Sequence, residues 1–188
     1  MKTLFWMESI SQQDLRSSCA DLHDQAEHTR LAQDLLNASI DPLIYKNYCY
    51  QLYLIADAIE TKMQFPSDLN RRHLLVQDIA NGPACSVTAC PSTLEYARYL
   101  NTHYLPHLHG QLNGHIYTHY LGWLYGGQMI AKKLQFLPKK HLEFRDPRAC
   151  VDYVRKTVLN MVWDRDAVEA KKAFEYSIKI YNELYELH

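Results

Sequence analysis

Residues 117–134 read YTHYLGWLYGGQMIAKKL, a helix-length stretch that contains Gly122, Gly126 and Gly127. Glycine inside a helix costs about 1 kcal/mol relative to alanine, so three of them close together need a reason. Gly122 and Gly126 are one i, i+4 step apart and share a face. That face lacks side chains and lets the backbone approach something flat. Gly127 adds freedom to kink. Close helix packing or a plain kink would use the same pattern, so this stretch alone leaves packing and ligand binding both open.

The 188 residues suffice for one domain with a proper core, and a single domain over 1–188 is expected. A net charge of −1, with both signs interspersed, gives no electrostatic footprint for nucleic acid or an anionic membrane. No basic-then-apolar leader opens the chain and no apolar run reaches spanning length, so a soluble cytoplasmic protein without a membrane anchor is expected. The five cysteines are scattered without a C-x-x-C pair, which fits free thiols in a reducing compartment. Fourteen tyrosines and ten histidines stand out. Tyrosine has an apolar body and a polar tip, and suits the wall of a cavity.

Helical spacing runs through most of the chain. Ser11 and Asp14 form a capping-box pattern ahead of Leu15, Cys19, Leu22 and Ala26, predicting a first helix to about Asn37 with room for a break. Asp41-Pro42 caps a long, mostly buried second helix that ends at Phe65-Pro66. A shorter helix is expected from Ser67 to Ala80, stopped by Asn81-Gly82-Pro83, with a loop to Pro91. Ser92 with Glu95 predicts another capped helix limited by Pro106. The glycine-bearing helix follows, to about Phe136 before Pro138. Asp146-Pro147 starts a helix carrying Val151, Val154, Val158 and Val162, and Ala167, Ala170, Phe174, Ile178 and Tyr181 mark the last one. No segment keeps strand alternation for long, so the expected fold is all-α.

Chemistry must therefore come from side chains on helices. His23 lies at the edge of the first apolar stripe, with Glu27 one turn later on the same side. Such a histidine serves equally as a surface or a satisfied core residue. His103, His107, His109, His115 and His119 crowd one region, and two of these spacings suit a helical metal pair. Neither H-E-x-x-H nor E-x-x-H occurs, and Gly110 and Gly114 interrupt the run, which argues against zinc and against a carboxylate-bridged di-iron bundle. Walker loops, G-x-S-x-G elbows and flavin or dinucleotide motifs are absent.

The stretch YTHYLGWLYGGQ closely resembles the distal-helix signature of the haem oxygenases, roughly Y-T-R-Y-L-G-D-L-S-G-G-Q. LHDQAE around His23 resembles that family's proximal segment, and QLYLIADAIETKM its second helix. FPSDLNRRHLLVQDIA and EAKKAF resemble further family segments, in order and over almost the whole chain. The resemblance implies a haem-oxygenase-like helical bundle with haem, both substrate and cofactor, between a proximal helix and a kinked distal helix. It makes His23 the axial ligand of the iron with Glu27 near its ring, and Gly122, Gly126 and Gly127 the backbone laid against the macrocycle. A neutral imidazole is a good iron ligand, and a nearby carboxylate or water can select its free nitrogen. Tyr117 matches a pocket tyrosine that anchors water. Arg16 and either Arg155 or Lys156 match basic residues, the later pair at the haem propionates.

The departures from the family pattern fall at the distal helix. Trp123 stands where the family usually has aspartate, His119 where it has arginine, and Tyr125 where it has serine. Indole has one donor and no acceptor, so it cannot order water as a carboxylate does. The replacement water network is expected on Tyr117, His119 or Tyr125. The activity implied is oxidative cleavage of haem by O2 to biliverdin, Fe2+ and CO. Electrons would come from outside, from reduced ferredoxin or another soluble reductase, and a bilin reductase could act downstream. A haem carrier or sensor on the same fold, without ring opening, is the alternative. A haem-free, thiaminase-like enzyme is a further one, for which no nucleophilic cysteine or paired carboxylates are found.

Overall fold

The computed structural model describes residues 9–103, 112–160 and 162–187. His107, His109 and Gly110, and the side chain of His103, lie outside the described residues. The architecture is all-α, with one two-residue antiparallel pairing of Ser9–Ile10 (β1) against Val162–Trp163 (β2).

The first helical region is three helices rather than one: α1 (Gln12–Ser18), α2 (Ala20–Glu27) and α3 (Arg30–Asn37). Ser11 and Asp14 do close a capping box at the start. The first break comes at Cys19, where the Ser18 hydroxyl donates to the Leu15 carbonyl at 2.8 Å. At the second, the Thr29 hydroxyl donates to the Ala26 carbonyl and accepts from the Ala32 amide, starting a new helix. This segmentation lets the N-terminal region wrap around the last helix, which a straight rod could not do.

Helix α4 (Pro42–Glu60) starts as expected, with the Asp41 carboxylate accepting from the Leu43 amide at 2.7 Å. It is buried along its length and carries Asn47 and Gln51 inside. Their amides bond Thr88 and Cys90 and fix the extended segment after α5 (Arg72–Asn81). Helix α5 begins five residues later than Ser67 predicts: residues 67–69 form a turn and 70–71 are irregular, because the Asp68 carboxylate takes the amides of Arg145 and Asp146 instead of capping a helix. The Ser92 cap is also corrected. Helix α6 (Pro91–His103) already includes Ser92, whose amide and hydroxyl both bond the Glu183 carboxylate.

Helix α7 (Asn113–Lys133) runs unbroken through all three glycines. A short 3-10 turn at Lys140–Leu142 packs beneath it. Helix α8 (Pro147–Tyr153) is capped by Asp146 as expected, then widens into a π-turn at Val154–Val158. Val162 does not continue that helix; it pairs with Ile10. Helix α9 (Asp164–Glu186) is the hub against which α1, α2, α3, α4, α6 and α7 all pack. Among the described residues, no helix is long and apolar enough to cross a membrane.

Candidate functional site

Helices α2 and α7 both rest on α9, and between them lies a cavity of about 900 Å³. Its lining comes from Arg16 of α1, His23, Ala26 and Glu27 of α2, and Tyr117, His119, Gly122, Trp123, Tyr125 and Gly126 of α7, with Arg155 at the π-turn. Helix α9 adds Phe174, Ser177 and Tyr181, and α4 adds Tyr45, Tyr48 and Leu52. A volume of this size is at the upper end for cofactor sites, roughly 300–1,000 Å³. A smaller cleft of about 400 Å³ near Glu60 and His73 gathers none of the residues singled out from the sequence.

His23 offers its ring to this space, with a side chain 57% exposed. Its Nδ1 is 3.7 Å from Glu27 Oε1, and the Phe174 ring meets the imidazole edge to face at 5.7 Å between centroids. The three glycines divide into two kinds. A Cβ built on Gly122 or Gly126 would meet nothing within 4 Å, so both present bare backbone to open space. A Cβ on Gly127 would come to 3.0 Å from Leu142 Cδ2, so the absence of a side chain there also serves packing against the 3-10 turn.

Electrostatics separate the rim from the wall. Tyr117 is half-buried; burial raises its phenol pKa above the usual 10, while Arg16 and Arg155 pull it back down, so both cations act on this part of the cavity. Arg155 also lies over the Tyr125 ring at 5.8 Å, and Gln12 donates to the carbonyls of Arg155 and Leu159, fixing the π-turn to α1. Lys156 does not line the cavity. Its ammonium pairs with Asp152 at 2.8 Å on the exposed side of the turn, so of the two basic residues only Arg155 faces the site.

The inner wall is held neutral. Burial, together with the neighbouring His115, pushes the His119 pKa down to about 3. Trp123 is buried beside it and packs edge to face on Tyr120 at 4.9 Å. His141 also reaches the cavity and is bonded through Nδ1 to the buried Asp78 carboxylate at 2.7 Å. Sequence reading missed this histidine, which lies between Pro138 and Asp146 where no helix is predicted, and missed Phe174 and Tyr181 as lining because their helical spacing also describes core. The histidine crowding did carry a signal: His115 and His119 meet at one buried tyrosine, Tyr96. Among the described residues, no three His, Cys, Asp or Glu side chains converge as a metal site.

The family model described as "Heme oxygenase" matches residues 9–183. The chain belongs to the haem oxygenase family. It is 27% identical to Heme oxygenase 2 of Rattus norvegicus, an alignment covering 90% of this chain and 64% of that protein. It is 30% identical to Heme oxygenase 1 of the same organism over 70% of this chain and 53% of that one. The chain therefore spans a little under two thirds of the length of the first of these relatives. Among solved structures, the haem oxygenase family member from Synechocystis described as heme oxygenase-2 in complex with heme and NO superposes with a TM-score of 0.80 at 23% identity, covering 93% of this chain and 85% of that one. The haem oxygenase from Leptospira interrogans superposes at 0.79 with 18% identity, covering 91% and 98%. These two likenesses carry the fold. In this haem oxygenase family member the wall position after Gly122 is an indole, and the residue two before Leu121 is a neutral imidazole.

Proposed function

We propose that this protein is a haem oxygenase, binding haem between α2 and α7 and cleaving it with O2 and external electrons to biliverdin, Fe2+ and CO. The observation that carries the reading is one cavity lined by both His23 and the bare backbone of Gly122 and Gly126. The residues present fit haem. An imidazole with a carboxylate at its ring suits an iron ligand, the unfilled Cβ directions suit a flat macrocycle, and Arg16 and Arg155 suit propionates.

When bound, haem supplies the iron that binds dioxygen and the carbon skeleton that is cut. The chain's own part is to hold and orient it. His23 would ligate the iron, Glu27 would bias which ring nitrogen is free, Gly122 and Gly126 would lay bare backbone against the macrocycle, and Tyr117 and His119 would hold water in the cavity. Electrons come from a soluble donor such as a reduced ferredoxin, and we assign the protein to the cytoplasm.

Adding haemin should give a one-to-one Soret complex, and adding reductant under air should replace that band with bilin absorbance. His23→Ala is expected to weaken haemin binding at least tenfold and abolish turnover. If native protein gives no Soret complex, or if His23→Ala changes nothing, the haem reading is wrong. A second reading, a haem carrier or sensor, is favoured by Trp123, which offers no acceptor beside the glycines. A stable Soret band without bilin would support it.

Gly122 gives a separate test. Gly122→Ala fills open space and replaces a poor helix former, so the ligand-free protein should gain up to about 1 kcal/mol. The same methyl group would stand where haem is proposed to lie and should weaken haemin binding several-fold. Thermal melts without ligand and a haemin titration read the two effects independently. Unchanged affinity would remove Gly122 from the proposed contact.

A further inference from the structure

A continuous chain of hydrogen bonds, part-buried at Glu169 and buried beyond it, leads from α9 to the cavity wall. Glu169 Oε2 lies 3.0 Å from His115 Nε2, His115 Nδ1 lies 2.6 Å from the Tyr96 hydroxyl, and that hydroxyl lies 3.0 Å from His119 Nε2. His115 and Tyr96 are fully buried, and His119 lines the cavity. Tyr176 stacks on Tyr96 at 4.6 Å and holds its ring in place. The outer end approaches solvent: the Glu169 side chain is 13% exposed, receives the Tyr99 hydroxyl at 2.8 Å, and has Lys172 3.6 Å away. Three elements, α6, α7 and α9, supply the four residues.

We propose that Glu169, His115, Tyr96 and His119 form a proton relay between the protein exterior and the cavity, which under the haem oxygenase reading above delivers the protons that ring opening consumes. The relay has two polarities. With Glu169 ionised, His115 donates from Nε2 to it, Tyr96 donates to His115 Nδ1, and His119 donates from Nε2 to Tyr96, leaving His119 Nδ1 with a lone pair. With Glu169 protonated, every bond reverses and His119 carries its proton on Nδ1. Delivery starts from the second state. The Nδ1 proton leaves to a cavity acceptor, His119 Nε2 takes the Tyr96 proton, Tyr96 takes that of His115 Nδ1, and His115 Nε2 takes that of Glu169. One N–H or O–H bond breaks and one forms at each relay atom pair, and Glu169 is left as a carboxylate. Reloading takes one proton from solvent at Glu169 and the return of both ring tautomers. Burial disfavours imidazolium at either ring, so protons pass by tautomer exchange instead of being parked.

Glu169→Gln tests the coupling directly in the ligand-free protein. The amide oxygen takes the Oε1 position, 3.0 Å from the Tyr99 hydroxyl and facing the Lys172 ammonium, and the NH2 group takes the Oε2 position against His115 Nε2, forcing His115 to Nδ1–H, reversing Tyr96, and switching His119 from Nε2–H to Nδ1–H. Nitrogen NMR of 15N-histidine-labelled protein reads these tautomers. In a Glu169→Gln/Tyr96→Phe double variant the change should stop at His115. A His119 tautomer indifferent to Glu169→Gln overturns the relay, whether or not haem is turned over. With haemin, reductant and air, Tyr96→Phe should slow haem loss at least tenfold with haemin affinity held within twofold. Native-like turnover in Tyr96→Phe also overturns the relay, whereas absence of turnover in the native protein overturns the haem oxygenase reading and leaves the tautomer test to decide the relay.

Discussion

Between pH 7 and pH 4 the native protein should lose about 3 kcal/mol more stability than a His119→Gln variant. The unfolded imidazole titrates at its ordinary 6.5, whereas burial and His115 hold the folded ring down to about 3. The folded pKa is depressed, so protons bind the unfolded state first. The contribution of His119 is complete above pH 6.5 and is lost as pH falls from 6.5 toward 3. At pH 4 the unfolded ring is charged and the folded ring still neutral, a gap of 2.5 pH units at about 1.4 kcal/mol each. Burial also lowers the pKa values of His115, against the opposing pull of Glu169, and of His141, against that of Asp78; these add loss in the same direction in both proteins. Glutamine can keep a bond to Tyr96 and does not titrate. Urea unfolding followed by circular dichroism across this range gives the two slopes, and equal slopes would mean that the folded structure does not keep His119 neutral.

Gly114→Ala should cost about 2 kcal/mol net, lowering the melting temperature by roughly 4–8 °C. A Cβ at this position would lie under 3.0 Å from the Asp166 carbonyl oxygen, the Ala170 amide nitrogen and the Glu169 carbonyl carbon. All three are backbone atoms of α9, so no side chain can rotate away. The helices must part instead, at the contact where α7 crosses the hub of the fold and where Thr118 donates to the Ala170 carbonyl. With three backbone contacts this close, overpacking costs about 3 kcal/mol, and the roughly 1 kcal/mol that alanine gains over glycine in a helix offsets only part of it. Gly122→Ala, eight residues along the same helix, has the opposite expected sign because nothing lies within 4 Å of its Cβ. A calorimetric melt of each ligand-free variant decides the pair. A Gly114→Ala protein as stable as the native one would show that α9 yields at this contact.

The contrast between those two glycines marks the limit of sequence reading here. The pattern at residues 117–134 pointed to a bare helical face, and Gly122 and Gly126 do present one to the cavity. Gly114 was read only as an interruption of a histidine run, yet it marks the tightest helix crossing among the described glycines. Both kinds of glycine look alike in sequence, because the residue's only property is an absence and the neighbour that fills it comes from elsewhere. The same holds for Arg155 and Lys156. Adjacent helical positions point about 100° apart, and only the π-turn decides which of them faces the cavity.

Local chemistry was enough for the elements themselves. Asp41-Pro42, Asp146-Pro147 and Ser11 with Asp14 act within a few residues, so they start helices as their spacing predicts. Ser92 failed as a cap because Glu183, 91 residues away, competes for its amide and hydroxyl. The sequence by itself determined an all-α chain, its main helix starts and the bare face of α7. Only the tertiary structure joined Tyr96 to histidines 19 and 23 residues on, and His115 to a carboxylate 54 residues further. Hydrogen bonds of that separation leave no periodic trace, since each partner is buried on its own helix for reasons that core packing already satisfies.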